Sequence, residues 1–126
     1  MEAAAIIAAV PITVLGLFQL ALAAGAPWGA AAYGGGWDGV LPRGIRINSL
    51  VFGLIVYPAI LLYVLDAGSA LESSWLPGSR TLVMWICVAF FGLGTLANAA
   101  SRSKVERIWA PMTLVIAVCC VILALG

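Results

Sequence analysis

Histidine is missing from this 126-residue chain and charge is scarce, with six Lys and Arg against five Asp and Glu for a net +1. The first absence removes the commonest general base and the commonest metal ligand together. The second sets the chain apart from water-soluble domains, in which charged residues make up about a quarter of the total; here they are 9%. So few basic residues also exclude a nucleic-acid surface, which needs Lys and Arg clustered in larger number. Cys87, Cys119 and Cys120 all lie inside apolar stretches, and no C-x-x-C pair occurs. Buried packing thiols are expected there. No metal or cofactor is expected. With no paired carboxylates and no nucleophile beside a base, the chain reads as non-enzymatic.

What is present is apolar length. Hydrophobic residues make up 64% of the chain and the mean hydropathy is +1.16. A hydrocarbon core takes roughly 20 apolar residues per helix. Four such runs, at about 3–25, 46–66, 80–100 and 105–125, leave room only for short connectors. In lipid an unpaired backbone group has no water to turn to, so each run is expected to be helical. The expectation is therefore all-α: one domain over residues 1–126, an integral membrane bundle of four transmembrane helices with a Gly/aromatic-rich first connector. The first run reads as a membrane helix and not a secretory leader, because Glu2 precedes it where a leader carries Lys or Arg. The halves differ in proline position, connector length and charge, so no internal repeat is expected.

The few charges set the topology. Arg43, Arg46, Arg102, Lys104 and Arg107 lie in or beside the first and third connectors, and Arg80 alone borders the second. Positive residues stay cytoplasmic, which predicts both termini outside the cell membrane and those two connectors inside.

Small residues predict the seams. Ala5, Ala9, Thr13, Gly16, Gln19 and Ala23 recur at steps of three or four along the first run. Gly94, Ala97 and Ser101 do so in the third, and Thr113, Ala117, Cys120 and Ala124 in the fourth. Close backbone approach is the main attraction between helices in lipid, so these faces are expected to meet neighbours. Pro11, Pro58 and Pro111 predict local bends.

Two stretches are candidates for more than packing. The connector over 26–42 is long for a bundle, in which links of about 2 to 8 residues are usual. Its Trp28, Tyr33 and Trp37 either anchor the chain at headgroup depth or line a shallow pocket where the loop folds over the bundle mouth. In the stretch 98–111, Ser103 and Glu106 have capping-box spacing, which predicts a helix start held by both side chains. On the same membrane face stand Arg43, Arg46, Ser49, Asn98, Ser101, Arg102, Glu106 and Arg107. Guanidinium forks match phosphate and carboxylate, so this cluster is the expected site for an anionic lipid headgroup or a protein partner; the alternative is mutual neutralisation by Glu106 and Asp38. Within the spans Gln19 and Asn98 are the polar residues, expected to bond between helices. No acidic residue falls mid-span, and Asp66 is expected to stop the second helix or pair with Arg80.

The functional expectation is an accessory or assembly subunit, or a homo-oligomer, whose partners are membrane lipids and either another protein or itself. The alternatives are a small-solute transporter or channel formed by oligomerisation and an anionic-lipid-binding protein. The motifs Gly25-Ala26-Pro27-Trp28-Gly29, Ala32-Tyr33-Gly34-Gly35, Leu41-Pro42 and Arg46-x-x-Ser49, with the 98–111 stretch, resemble those of a group of small bacterial four-span membrane proteins. That resemblance covers most of the chain and implies the four-span architecture and a bacterial inner-membrane setting; it implies no chemistry.

Overall fold

The computed structural model describes residues 1–71 and 76–126. Four helices carry the fold: α1 (Glu2–Ala24), α2 (Arg43–Ala67), α3 (Arg80–Ala99) and α4 (Glu106–Leu125). All four are long and apolar enough to cross a membrane, and they match the four apolar runs to within a few residues. The largest difference is at α2, which begins at Arg43, so Arg43 belongs with Arg46 to the start of the helix instead of the connector.

α3 and α4 form an antiparallel hairpin packed along its length, and α1 lies against both α2 and α4. The core runs between them through Ala5, Ala8, Ile12 and Leu15 of α1, Tyr57 and Val64 of α2, Met84, Cys87 and Phe91 of α3, and Ile116, Cys120 and Leu123 of α4. The three cysteines are free and buried, Cys87 on α3 and Cys119 and Cys120 on α4. The Thr95 and Thr113 hydroxyls, 2.9 Å apart, tie the same two helices.

The small-residue seams are partly overturned. On α4 the expected face is buried, with Thr113, Ala117, Cys120 and Ala124 all inside. On α1 Ala5 and Gly16 are inside, but Thr13 faces outward because Ala4, Ala8, Ile12 and Leu15 make the buried stripe. On α3 Gly94 and Ala97 do not pack on a neighbour: a Cβ at Gly94 would meet nothing within 4 Å. Bulkier Met84, Cys87 and Phe91 hold that helix to the core and keep the glycine away from it.

One close approach occurs where no small-residue stripe marked it. At Gly53 a Cβ would sit 2.7 Å from Leu20 Cγ of α1, so only glycine admits this crossing. Gly53 lies in a π-helical turn, Phe52–Val56, directly before Pro58. Proline has no N–H to give to the preceding turn, and a widened turn absorbs that missing bond without breaking the helix. Pro111 falls in the first turns of α4, where a missing N–H costs little. At the opposite end from the long connector, Asp66 pairs with Arg80, whose guanidinium also lies 5.1 Å over the Tyr63 ring.

Candidate functional site

The first connector folds back onto the bundle. α1 ends at Gly25, where the Ala26 N–H bonds Ala21 O at 2.9 Å. Two tight helical turns follow, Gly29–Ala31 and Tyr33–Gly35. Three hydrogen bonds then pin the connector to the start of α4: the Trp109 indole N–H donates to Ala31 O at 2.8 Å, the Ser103 hydroxyl donates to Ala30 O, and the Gly34 N–H donates to the Glu106 carboxylate at 2.7 Å. Gly35 adopts φ +73, and a Cβ there would stand 2.6 Å from Ser103 Cβ, so the turn admits no other residue. Tyr33 also lies in the left-handed region at φ +50, uncommon for a bulky side chain. Its hydroxyl is held by Asn48 Nδ2 at 2.8 Å and Ser49 Oγ at 2.9 Å, both on α2.

Beneath this cover lies a cavity of about 300 Å³, at the lower end of ligand-pocket volumes. Its walls are Leu15, Phe18 and Gln19 of α1, Tyr57 of α2, Phe90, Phe91, Gly94, Ala97 and Asn98 of α3, Glu106, Trp109 and Thr113 of α4, and the connector from Ala31 to Gly34. Gly34 and Ala97 are exposed while Leu15, Phe91 and Glu106 are buried, so the cavity runs inward from a mouth between the connector and the end of α3. Leu15 is about 14 Å along α1 from its end at Ala24, at about 1.5 Å per residue. The cavity thus reaches roughly half the depth of a 30 Å hydrocarbon core.

Its polar groups are under-used. Gln19 Oε1 is shut off from solvent and accepts no hydrogen bond among the described residues. The Asn98 side chain makes none either among the described residues, so neither amide makes the interhelical bond expected of it. Glu106 is 5% exposed, and the Gly34 N–H is its side chain's sole hydrogen bond among the described residues. The expected capping box is half formed: the Glu106 N–H bonds Ser103 Oγ at 3.3 Å, but the carboxylate does not return. The Ser103 N–H that it would cap is already taken by Ser101 Oγ at 3.1 Å.

The arginines stand elsewhere. Arg46 donates through Nε and Nη2, both at 3.1 Å, to Ala23 O at the end of α1. Arg107 donates through Nε to Ser101 O at 2.7 Å, beyond the end of α3. Each thus satisfies a carbonyl that has lost its helical partner. Arg43 and Arg102 are exposed and make no hydrogen bond or ion pair among the described residues. Neither Glu106 nor Asp38 pairs with a basic group among the described residues. Of the loop aromatics only Tyr33 lines the cavity; Trp28 stacks on Phe18 at 6.4 Å, and Trp37 meets the Tyr33 ring edge-on at 6.5 Å. Sequence reasoning missed Tyr57, Phe90, Phe91 and Trp109 as wall residues, since aromatics in apolar runs read as core. Thr113 carried a faint signal as a member of the α4 small face.

Four apolar helices of spanning length and a cavity sunk among them define the class, a multi-pass membrane helix bundle. No protein-family model, curated protein or solved structure matches the chain.

Proposed function

We propose that this chain is a non-enzymatic multi-pass protein of a bacterial inner membrane that takes up a small solute in the cavity under the first connector, as the binding step of a carrier or channel. The observation that supports this reading is the cavity itself. A buried carboxylate and two side-chain amides, Gln19 and Asn98, without hydrogen bonds among the described residues border a space that packing would otherwise close, and an ionisable residue within a membrane bundle is by default a functional-site candidate. Assembly through small-residue faces has weaker support, because Gly94 and Ala97 border the cavity and touch no partner helix. An anionic headgroup remains the competitor, with Arg43, Arg102 and Lys104 exposed on the connector face.

Filling the space tests the reading. In Gly94→Phe the ring enters open volume, so the protein is expected to keep its helicity and monodispersity while losing solute binding. A solute at about 100 times its Kd stabilises a folded protein by about 2.7 kcal/mol. Thermal-shift screening in detergent with cationic, anionic, zwitterionic and neutral small solutes should find at least one that stabilises wild type and not Gly94→Phe. If every solute acts equally on both proteins, the cavity is not a binding site.

A further inference from the structure

The cavity carries one formal charge, and it is negative. None of its wall residues is Lys or Arg, and Glu106, its single carboxylate, has no ion-pair partner among the described residues. We infer that the group bound there is an organic ammonium, held by the Glu106 carboxylate against the aromatic walls; the inference rests on the solute-cavity reading above and names its ligand class.

Three features lead to this class. A largely buried carboxylate whose one protein hydrogen bond among the described residues is the Gly34 N–H has acceptor sites left over, and a cation beside it is the usual remedy. Gln19 of α1 borders the same space, and its Oε1 has no hydrogen-bond donor among the described residues. An ammonium N–H, or the polarised C–H groups around a quaternary nitrogen, supply the donors that the Glu106 carboxylate lacks. The rings of Phe18, Tyr33, Tyr57, Phe90, Phe91 and Trp109 line the same cavity, and aromatic faces attract weakly hydrated organic cations. A divalent metal is disfavoured because no group of three acidic, cysteine or histidine side chains is assembled among the described residues. At about 300 Å³ the space fits a small amine, either free or as the headgroup of a zwitterionic lipid.

Choline and its neutral isostere 3,3-dimethyl-1-butanol differ in charge and hardly in shape, which makes them the decisive probes. Calorimetry on the purified protein in maltoside micelles should show choline bound at least about tenfold more tightly, the effect of one desolvated charge contact. Glu106→Gln, which keeps an acceptor for the Gly34 N–H, should abolish that preference. The wild-type comparison needs no variant, so it decides even if Glu106→Gln does not fold. In parallel, native mass spectrometry compares retention of phosphatidylethanolamine with that of phosphatidylglycerol. Selective, Glu106-dependent retention of phosphatidylethanolamine without choline binding upholds the ammonium site and overturns the free-solute reading. Equal binding of choline and the neutral isostere overturns the ammonium assignment and leaves the solute cavity in place. Binding of neither probe and retention of neither lipid by the folded wild type overturns both.

Discussion

A glutamate three residues after a serine ordinarily turns back to cap its own helix, and at Glu106 a competing geometry prevails. Ser101 Oγ has already satisfied the Ser103 amide, while the folded connector brings the Gly34 N–H into a wall with no other acceptor for it. The same local arithmetic separates glycines that look alike in sequence. A Cβ at Gly68 would lie 2.4 Å from Ala5 Cβ and 2.8 Å from the Met1 carbonyl, whereas one at Gly94 meets open space. Gly68→Ala is therefore expected to destabilise by about 1 to 3 kcal/mol through overpacking, as is Ala117→Leu in the buried α4 face. Gly94→Ala should be neutral or slightly stabilising, by up to about 1 kcal/mol, as helical glycine is replaced. Exposed Leu82→Ala should change little. Steric-trapping measurements in detergent provide the ranking, and an equal loss at Gly94 and Gly68 would refute it.

Between residues and bundle stands the connector, an element with almost no apolar core of its own beyond Ala32 and Leu41 packed on Leu22. Hydrogen bonds to α4 and α2 hold it instead, and each contributes about 1 kcal/mol net. Removing two of them in the double variant Ser103→Ala, Trp109→Phe is expected to free residues 28–36 while the helices stay folded. Hydrogen exchange should then accelerate roughly tenfold or more in that segment, by about 1.4 kcal/mol or more of lost local protection, with no change in α3. Uniform acceleration over the whole chain would mean that the connector is integral to the bundle and not a cover upon it. The π-helical turn of α2 is a second element-scale device. It allows Gly53 to meet Leu20 and Tyr57 to reach the cavity on one continuous helix.

For the whole molecule, the charge asymmetry predicts orientation. The long connector, the start of α2 and the α3–α4 link carry five of the six basic residues, so this face, with the cavity mouth, is expected in the cytoplasm and both termini outside. A cysteine added at each end, in a background with the buried native thiols left in place, should react with an impermeant maleimide from the extracytoplasmic side. Labelling solely from the cytoplasmic side would reverse the assignment, and labelling from both would indicate dual orientation.

Sequence alone determined the number, length and order of the helices, because a 30 Å hydrocarbon layer imposes one apolar length and one backbone solution on every span. It also offered pairing with Arg80 as one of two roles for Asp66 and placed Tyr33, Ser49, Asn98 and Glu106 at the same end of the bundle. Which polar groups are spent and which left idle was settled only by the tertiary structure. Arg46 and Arg107 turn to the carbonyls of helix ends, Glu106 turns away from its cap, and Gln19 Oε1 finds no donor among the described residues. Composition is nearly blind to such choices in a membrane protein, where core and lipid-facing positions are equally apolar. Rotation of each helix about its axis then depends on particular contacts: Gly53 against Leu20, Phe91 in the core, the connector's carbonyls on Ser103 and Trp109. Those contacts, and not hydrophobic periodicity, opened the space between α1, α3 and α4.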